Sequence, residues 1–435
     1  MKYRHSRFSK SILIDGKYIL FHSWKLSVCE ISREDYAVFE AYRNPNDLQD
    51  NEITEALLNY QFIVPEDFDE TTEAVEHKRT ERDHTKSLED NRLGYMRISL
   101  TEDCNLRCKY CFVNDIMEHK GFMSEETFTH TMEWFIKTNE GQAPAVQYFG
   151  GEPLLCMNLI KKGNEMLRTA MEAGRIQGFS EEIVTNGTLV TPKTAKTLVD
   201  NGVTVLFSID GWDVIHDQNR VYPNGKGSYH TLLKGIRNFK EAGGRLEAII
   251  TPTEENLPIF FDIMRHLVED LHFEEITVNT PQPTAKGWDI DGRKFAQAII
   301  DSWNYCVSKK VRLNQPGNNI VYFVTNKIPQ THSCMNLSYG QGINTFGIYV
   351  TSDQTISSCI VECDDRCSRN IEDFKIDQEY IDWHFMDNNT KSCIDCIGYN
   401  ICGGPCAIEA LLRDGKLNTE KCKFYKTLIP WTLAQ

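Results

Sequence analysis

The sequence predicts an α/β fold, a partial (β/α)6 TIM-like barrel with a small unit of strands and helices before it and a cysteine-rich unit after it. Three observations predict this. Between Met96 and about Pro283, short apolar runs alternate with segments whose apolar residues keep helical spacing, the pattern of successive βα units around a parallel sheet. Ahead of them, residues 11–31 read as an apolar run, the turn Asp15-Gly16 and a second apolar run, a hairpin signal. Behind them, nine of the 15 cysteines crowd between Cys334 and Cys422.

In chain order, SILI, Asp15-Gly16 and KYILF form the hairpin, and LSVCEI adds a further apolar run. Ser32 with Asp35 three residues on resembles a capping box, opening a helix through Tyr36, Phe39 and Tyr42. A second helix near Ile53 to Leu58 leads to the strand-like Phe62-Ile63-Val64. Residues 1–65 are thus expected to form a first domain. From 66 to 94 charges of both signs dominate, which fits an exposed linker or a solvated helix. The barrel is assigned to 95–285, with strands at Met96–Leu100, Val146–Phe149, Glu182–Val184, Val203–Ile209, Leu246–Ile250 and Glu275–Val278. The stripes Phe128, Met132, Phe135, Ile136 and Leu232, Leu233, Ile236, Phe239 are helix faces that pack on it. Residues 286–333 bridge to a cysteine-rich domain at 334–435. In barrel-like sheets chemistry sits at the C-terminal ends of strands.

Composition narrows the class. A chain of 435 residues with 41% hydrophobic content can build two or three ordinary globular domains. No apolar run approaches the roughly 18 to 20 residues of a membrane span, and MKYRHSRFSK leads into no apolar signal segment, so a cytoplasmic address without a membrane partner is expected. A formal charge of −15 argues against a nucleic-acid partner, because phosphate contacts need clustered Lys and Arg. In a reducing compartment 15 cysteines point to metal or redox chemistry rather than disulfides. Cys29, Cys156 and Cys306 stand alone and read as small buried apolar side chains.

The most specific motif, TEDCNLRCKYC, directly follows the first strand. Cys104, Cys108 and Cys111 from one short loop can reach three irons of a cubane cluster and leave the fourth without a protein ligand. Such clusters usually take four cysteines, and an open coordination position is how metal sites admit a substrate or cofactor. On the residues alone, a zinc site borrowing a ligand such as His119 is the alternative. FGGEP ends the second strand, where Gly150 and Gly151 permit close backbone approach and Glu152 offers a carboxylate to an ammonium group. TNG, SIDG and HDQNR follow. Arg220 in the last suits bidentate carboxylate binding, although Asn186-Gly187 also reads as a plain turn and Arg220 as a surface charge.

With these motifs the sequence resembles the radical S-adenosylmethionine (SAM) superfamily from Met96 to about Pro283. The resemblance implies that the open iron chelates SAM, that the reduced cluster cleaves it to a 5′-deoxyadenosyl radical, and that this radical takes a hydrogen from substrate. It also implies that Tyr110 belongs to the cluster loop's signature and that Gly150, Gly151 and Glu152 hold the SAM amino group. Thr185, Asn186, Ser208 and Arg220 would then lie near the ribose and carboxylate.

Cys393, Cys396, Cys402 and Cys406 give Cx2Cx5Cx3C, with Cys422 beyond and Cys334 and Cys359 before. Alone this suits a zinc ribbon as well as iron. The run resembles the SPASM domain, an extension with two auxiliary four-iron clusters, which implies three [4Fe-4S] clusters in all. By that resemblance Cys393, Cys396, Cys402 and Cys422 hold the outer auxiliary cluster, and Cys334, Cys359 and Cys406 the inner one. The gap from Cys334 to Cys359 is longer than the family's, and Cys363 and Cys367 are further candidate ligands. The fourth inner ligand is therefore unassigned, and an open inner iron would bind a substrate cysteine thiolate.

SPASM proteins mostly act on peptides or proteins, so the chain resembles maturases of ribosomally made peptides, of the thioether-forming sactipeptide and ranthipeptide type. Residues 1–65 resemble their winged-helix-like leader-recognition domain, which takes a leader peptide as an added strand. The expected activity is a Cys-to-carbon thioether. A carbon–carbon crosslink or an epimerised centre would use the same machinery, and an anaerobic sulfatase maturase forming formylglycine is the runner-up. That family places an Asp after an inner-cluster cysteine as base. Here Ile360 follows Cys359, and Glu362, Asp364 and Asp365 are displaced candidates. Expected partners are a precursor peptide with its leader and an electron donor such as flavodoxin or ferredoxin. A non-catalytic electron carrier or zinc adaptor would have no need of a SAM pocket.

Overall fold

Strand β1 (Lys2–His5), which the local pattern does not announce, pairs antiparallel with two partners far along the chain. The expected hairpin joins β2 (Ser9–Ile14) to β3 (Lys17–His22), and β4 (Ser27–Ile31) completes a three-stranded antiparallel sheet. Asp15 and Gly16 take left-handed φ values of 50° and 80°, as a two-residue hairpin turn requires. Helix α1 (Arg33–Glu40) begins at Ser32, whose Oγ accepts from Asp35 N at 3.0 Å and donates to Asp35 Oδ2 at 2.8 Å. After β5 (Asn46–Asp47), helix α2 (Glu52–Asn59) leads to β6 (Ile63–Pro65), and β5 and β6 flank β1. The computed structural model describes the chain apart from residues 89, 112, 114–120, 282–287, 318, 335, 341–342, 362–367 and 386–392.

The charged stretch after β6 is helix α3 (Glu70–Lys86), and one of its faces is buried rather than solvated. Ala74 is fully buried, Glu70 pairs with Arg4 at 2.7 Å, and Lys78 Nζ donates to the Tyr399 carbonyl at 2.6 Å. Composition marks these charges as exposed, yet each buried one has a partner, which is the condition for burying a charge.

All six expected core strands are present: β7 (Asp90–Thr101), β8 (Ala145–Gly150), β9 (Ser180–Thr185), β10 (Thr204–Ser208), β11 (Glu247–Ile250) and β12 (Glu275–Val278). Each runs parallel to the next in chain order. Helices α4 (Glu125–Thr138), α5 (Met157–Glu172), α6 (Pro192–Asp200), α7 (Asp213–Asn219), α8 (Tyr229–Glu241) and α9 (Phe260–Arg265) lie between the strands. The stripe Phe128, Met132, Phe135 and Ile136 is fully buried, as is Leu232 on α8. Cys156 and Cys306 are buried as expected, whereas Cys29, on the edge strand β4, is only half-buried.

After α10 (Gly292–Ser308), the short β13 (Arg312–Asn314) extends the sheet beyond β12, again parallel. Helix α11 (Asn319–Asn326) and β14 (Leu337–Gly340) lead to β15 (Ile343–Val350), which lies parallel to β7 at the other edge. The cysteine-rich region therefore shares one continuous sheet with the six core strands. β16 (Thr355–Ser357) and β17 (Ser368–Asn370) continue it antiparallel, and α12 (Gln378–His384), α13 (Ala407–Leu412) and α14 (Thr419–Leu433) follow. Among the described residues no helix is long and apolar enough to cross a membrane.

Helix α14 packs along α10 through Phe424, which is fully buried with ring centroids 4.8 Å from Phe295 and 5.6 Å from Trp288. Phe424→Ala should lower unfolding free energy by about 3–5 kcal/mol, read from the urea midpoint. A change under about 1 kcal/mol would show that this seam does not anchor α14.

Candidate functional site

The loop after β7 is held down by the end of β8. Gly151 N donates to the Thr101 carbonyl at 2.7 Å and Glu152 N to the Asp103 carbonyl at 2.9 Å. A Cβ at Gly151 would collide with the Asp103 carbonyl, and Gly150 takes φ 118°. The two glycines thus serve the approach of backbone to the cysteine loop, where the sequence suggested approach to a ligand. Glu152 is 1% exposed and accepts from Thr185 Oγ1 at 2.7 Å, Asn186 N at 2.9 Å and Leu154 N at 3.0 Å. Its carboxylate ties the ends of β8 and β9 together, and burial pushes its pKa up to about 7 against those three donors.

From that anchor the network reaches the thiols. Asn186 Nδ2 donates to Asn105 Oδ1 at 2.8 Å and stands 3.8 Å from Cys104 Sγ. Burial, then the Glu152 carboxylate and the Cys108 and Cys111 sulfurs, push the Cys104 thiol up to about 12. Tyr110 donates to Asp210 Oδ2, and Arg220 pairs with the same carboxylate through Nε at 2.9 Å and Nη2 at 3.3 Å. Arg220 is 8% exposed, not a surface charge. It also bonds Cys108, opposing the upward push of burial on that thiol. The sequence offered Arg220 to a ligand carboxylate; the structure gives it Asp210. Asp210 of SIDG carries no distinguishing signal in the sequence, because its full burial and its pairing with Arg220 are tertiary facts. Ser208, the expected SIDG residue, lines the large cavity described next.

A cavity of about 550 Å³ opens beside these strand ends. Ser208, Ile249 and Asn279 border it on the sheet side, and Cys334, Cys359 and Cys406 on the other. Burial first, and then the Cys359 and Cys406 sulfurs, raise the Cys334 thiol. Cys393, Cys396, Cys402 and Cys422 line a separate small pocket. Burial and the other three sulfurs push Cys422 up to about 11. Cys363, Cys367, Glu362, Asp364, Asp365 and His119 lie outside the described residues.

Sequence reasoning missed the link between these two thiol groups. Lys421 and Glu409 border both the small pocket and the large cavity, joined Nζ to Oε2 at 3.0 Å. Burial works against the Lys421 ammonium, but Glu409, Cys406 and Cys402 together raise its pKa. Gly403, with φ 68°, sits so close to the His332 carbonyl that a Cβ would collide with it. The turn between Cys402 and Cys406 is thereby pressed onto the segment that carries Cys334.

The thiol groups fit iron–sulfur ligation. Cys104, Cys359, Cys396, Cys402 and Cys406 each accept a backbone N–H at 3.4 Å, an arrangement that favours thiolate over thiol and is a known lever on cluster potential. Among the described residues no three His, Cys, Asp or Glu side chains close around a single metal ion.

Three substitutions test the site. The Glu152 carboxyl, held at about 7 against an ordinary 4.5, contributes stability that is complete below about pH 4.5 and lost as pH rises through about 7. Glu152→Gln should flatten that stretch of the apoprotein's stability profile while costing about 1–3 kcal/mol for the orphaned Asn186 N–H, and an unchanged profile would refute the assignment. Lys421→Met should cost about 3–5 kcal/mol by leaving Glu409 buried alone. Adding Glu409→Gln should recover most of it in urea melts, and strict additivity would refute the pair.

Residues 98–265 match the radical SAM superfamily. The radical SAM cyclopropyl synthase TigE of Paramaledivibacter caminithermalis is 24% identical over 319 residues, 67% of this chain and 66% of that protein. A cysteine-type anaerobic sulfatase-maturating enzyme of Clostridium perfringens is 25% identical over 367 residues, 76% of this chain and 94% of that protein. The chain spans 66%, 59% and 45% of the lengths of three curated relatives. Among solved structures, native anSMEcpe with bound AdoMet and Cp18Cys peptide superposes with a TM-score of 0.66 at 19% identity, over 79% of this chain and 97% of that one. Streptococcus suis SuiB bound to precursor peptide SuiA gives a TM-score of 0.54 at 14% identity, over 97% of this chain and all of that one, 100%. At these identities the structures speak for the fold, and the sequence match, lying on the parallel strands and thiol loop described above, identifies residues 98–265 as a radical SAM domain.

Proposed function

We propose that the chain is a peptide-modifying radical SAM enzyme that crosslinks a ribosomally made precursor peptide, joining a cysteine sulfur to a carbon. The superfamily's cofactors, SAM and a [4Fe-4S] cluster, supply when bound a 5′-deoxyadenosyl radical that takes a hydrogen atom from substrate. In this reading Cys104, Cys108 and Cys111 hold that cluster. Glu152 fixes the strand ends around the SAM site, and Arg220 places a positive charge beside Cys108. Cys393, Cys396, Cys402 and Cys422 hold an outer auxiliary cluster, and Cys334, Cys359 and Cys406 an inner one.

One observation carries the proposal: a single cavity of about 550 Å³ is walled on one side by the parallel strands and on the other by three thiols. A substrate side chain entering it meets both the radical end of the sheet and a three-cysteine group with one ligand unassigned. A cysteine substrate could complete that group. The precursor peptides bound to SuiB and the peptide bound to anSMEcpe support the substrate class. The sheet β2-β3-β4 ends in two edge strands, where Leu13 and Val28 are exposed, a surface that suits leader binding by strand addition.

The sulfatase-maturase reading is favoured by the Clostridium perfringens relative, matched over nearly its whole length. Against it, the residue after Cys359 is Ile360, apolar and 6% exposed, where that chemistry wants a base. Mass spectrometry of a cysteine-containing candidate precursor peptide, co-expressed with the enzyme, separates the two. The expected product has lost two hydrogens per crosslink and kept its sulfur; loss of sulfur to an aldehyde would favour formylglycine instead. Cys104→Ala should abolish both the product and 5′-deoxyadenosine release with dithionite, and wild-type protein that releases none would sink the enzyme reading.

A further inference from the structure

We propose that Arg97, on β7, is the group that recognises a carboxylate on the substrate, so that the preferred peptide brings an acidic group into the cavity. This rests on the peptide-modifying reading above and names what that cavity selects.

The charge balance of the cavity leads to it. Apart from the three cysteines assigned to the inner cluster, three of the described residues that line it carry formal charge: Arg97, Glu409 and Lys421. Glu409 and Lys421 neutralise one another at 3.0 Å. His384 adds no charge, since burial holds its pKa down to about 4. Arg97 makes no ion pair with any described residue. Its Nε donates to Gln147 Oε1, and Gln147 Nε2 in turn donates to Glu182 Oε1. Gln147 therefore spaces the guanidinium from the one nearby carboxyl, and Glu182 does not line the cavity.

Arg97 is also oriented. Its guanidinium carbon lies 5.1 Å from the Phe149 ring centroid and 5.9 Å from that of Tyr95, so two aromatic faces flank it. The other walls are neutral, with Ser208, Asn279 and Thr345 among the polar residues and Trp288 and Trp383 among the apolar ones. A half-buried cation in such surroundings is complemented by a counter-charge brought by a ligand. A planar guanidinium held by Gln147 through Nε and bonded also by the Tyr95 side chain still has donors to present to a carboxylate. The carboxylate has two possible sources, an Asp or Glu side chain or the peptide's C-terminus.

The test measures binding to the holoenzyme by fluorescence anisotropy. The probes are labelled octapeptides, neutral except for one central Asp, Asn or Lys, all as C-terminal amides, together with the Asn peptide bearing a free C-terminal carboxylate. Wild-type protein should prefer a carboxylate peptide over the neutral amide by roughly 10- to 100-fold, and which of the two carboxylate peptides gains identifies the source. Arg97→Gln should remove the preference, Arg97→Lys should keep part of it, and Arg97→Glu should transfer it to the Lys peptide, an inversion that a merely structural arginine would not give. Equal binding of all four probes by wild-type protein, or an Asp preference that survives in Arg97→Gln, would overturn the proposal. So would a loss of SAM affinity in Arg97→Gln as large as the loss for the peptide, which would assign Arg97 to the SAM carboxylate. Failure of wild-type protein to release 5′-deoxyadenosine would count against the enzyme reading while leaving the binding preference standing.

Discussion

The site depends on one buried carboxylate. Glu152 accepts three hydrogen bonds from two different strand ends, and without it the β8 and β9 termini would each leave donors unpaired in a place water does not reach. The donors are fixed backbone and hydroxyl groups, so the hydrogen bonds set position as well as energy. Asn186, held at its backbone by Glu152, is the residue that touches Asn105 and Cys104. Gly151, pressed onto Asp103, fixes the same loop from the other side. The position of the first thiol is thus decided by a carboxylate that never touches it.

A second buried pair performs the same service at the other end. Lys421 and Glu409 sit where the outer thiol pocket meets the central cavity, and a displacement of either would reach both thiol groups. The N-terminal strands bear on this region too. Arg7 pairs with Asp395, between Cys393 and Cys396, and Phe8, Trp24, Ala74, Ile394 and Tyr399 form one buried cluster. Asn400 Nδ2 donates to the Trp24 carbonyl at 2.7 Å. Whatever the first 65 residues bind, they are braced against the loop that carries the outer cysteines.

The six core strands were legible because period and spacing are local properties, and βα alternation writes itself into consecutive residues. β1, β13 and β15 were not, since each is defined by a partner distant in sequence; β15 pairs with β7 some 250 positions earlier. Helix α3 was obscured by its own composition. Its buried Glu70 and Lys78 look exposed in sequence, and only their partners Arg4 and the Tyr399 carbonyl explain their burial. In the site, cysteine spacing pointed to thiol groups that the fold does gather. The sequence could not show that Arg220 is engaged by Asp210, or that Lys421 reaches two groups at once, because a charged residue's partner is a tertiary fact. Gly150 and Gly151 carry a close-approach signal in the sequence, and the fold brings the backbone of Thr101 and Asp103 against them, a neighbour that a missing Cβ alone does not identify.

Arg220, Lys421 and Arg97 show how the protein divides its charge. Arg220 and Lys421 are each paired at close range, with Asp210 and Glu409 respectively, and each also lies near cysteine sulfur. Their charges are bound into the framework, available to steady negative charge on thiolates without attracting ligands. Arg97 differs in having polar and aromatic neighbours but no paired carboxylate among the described residues. A fold that neutralises Arg220 and Lys421 and leaves Arg97 facing a cavity has kept an electrostatic demand for something outside the chain, and the size of the cavity sets what can answer it.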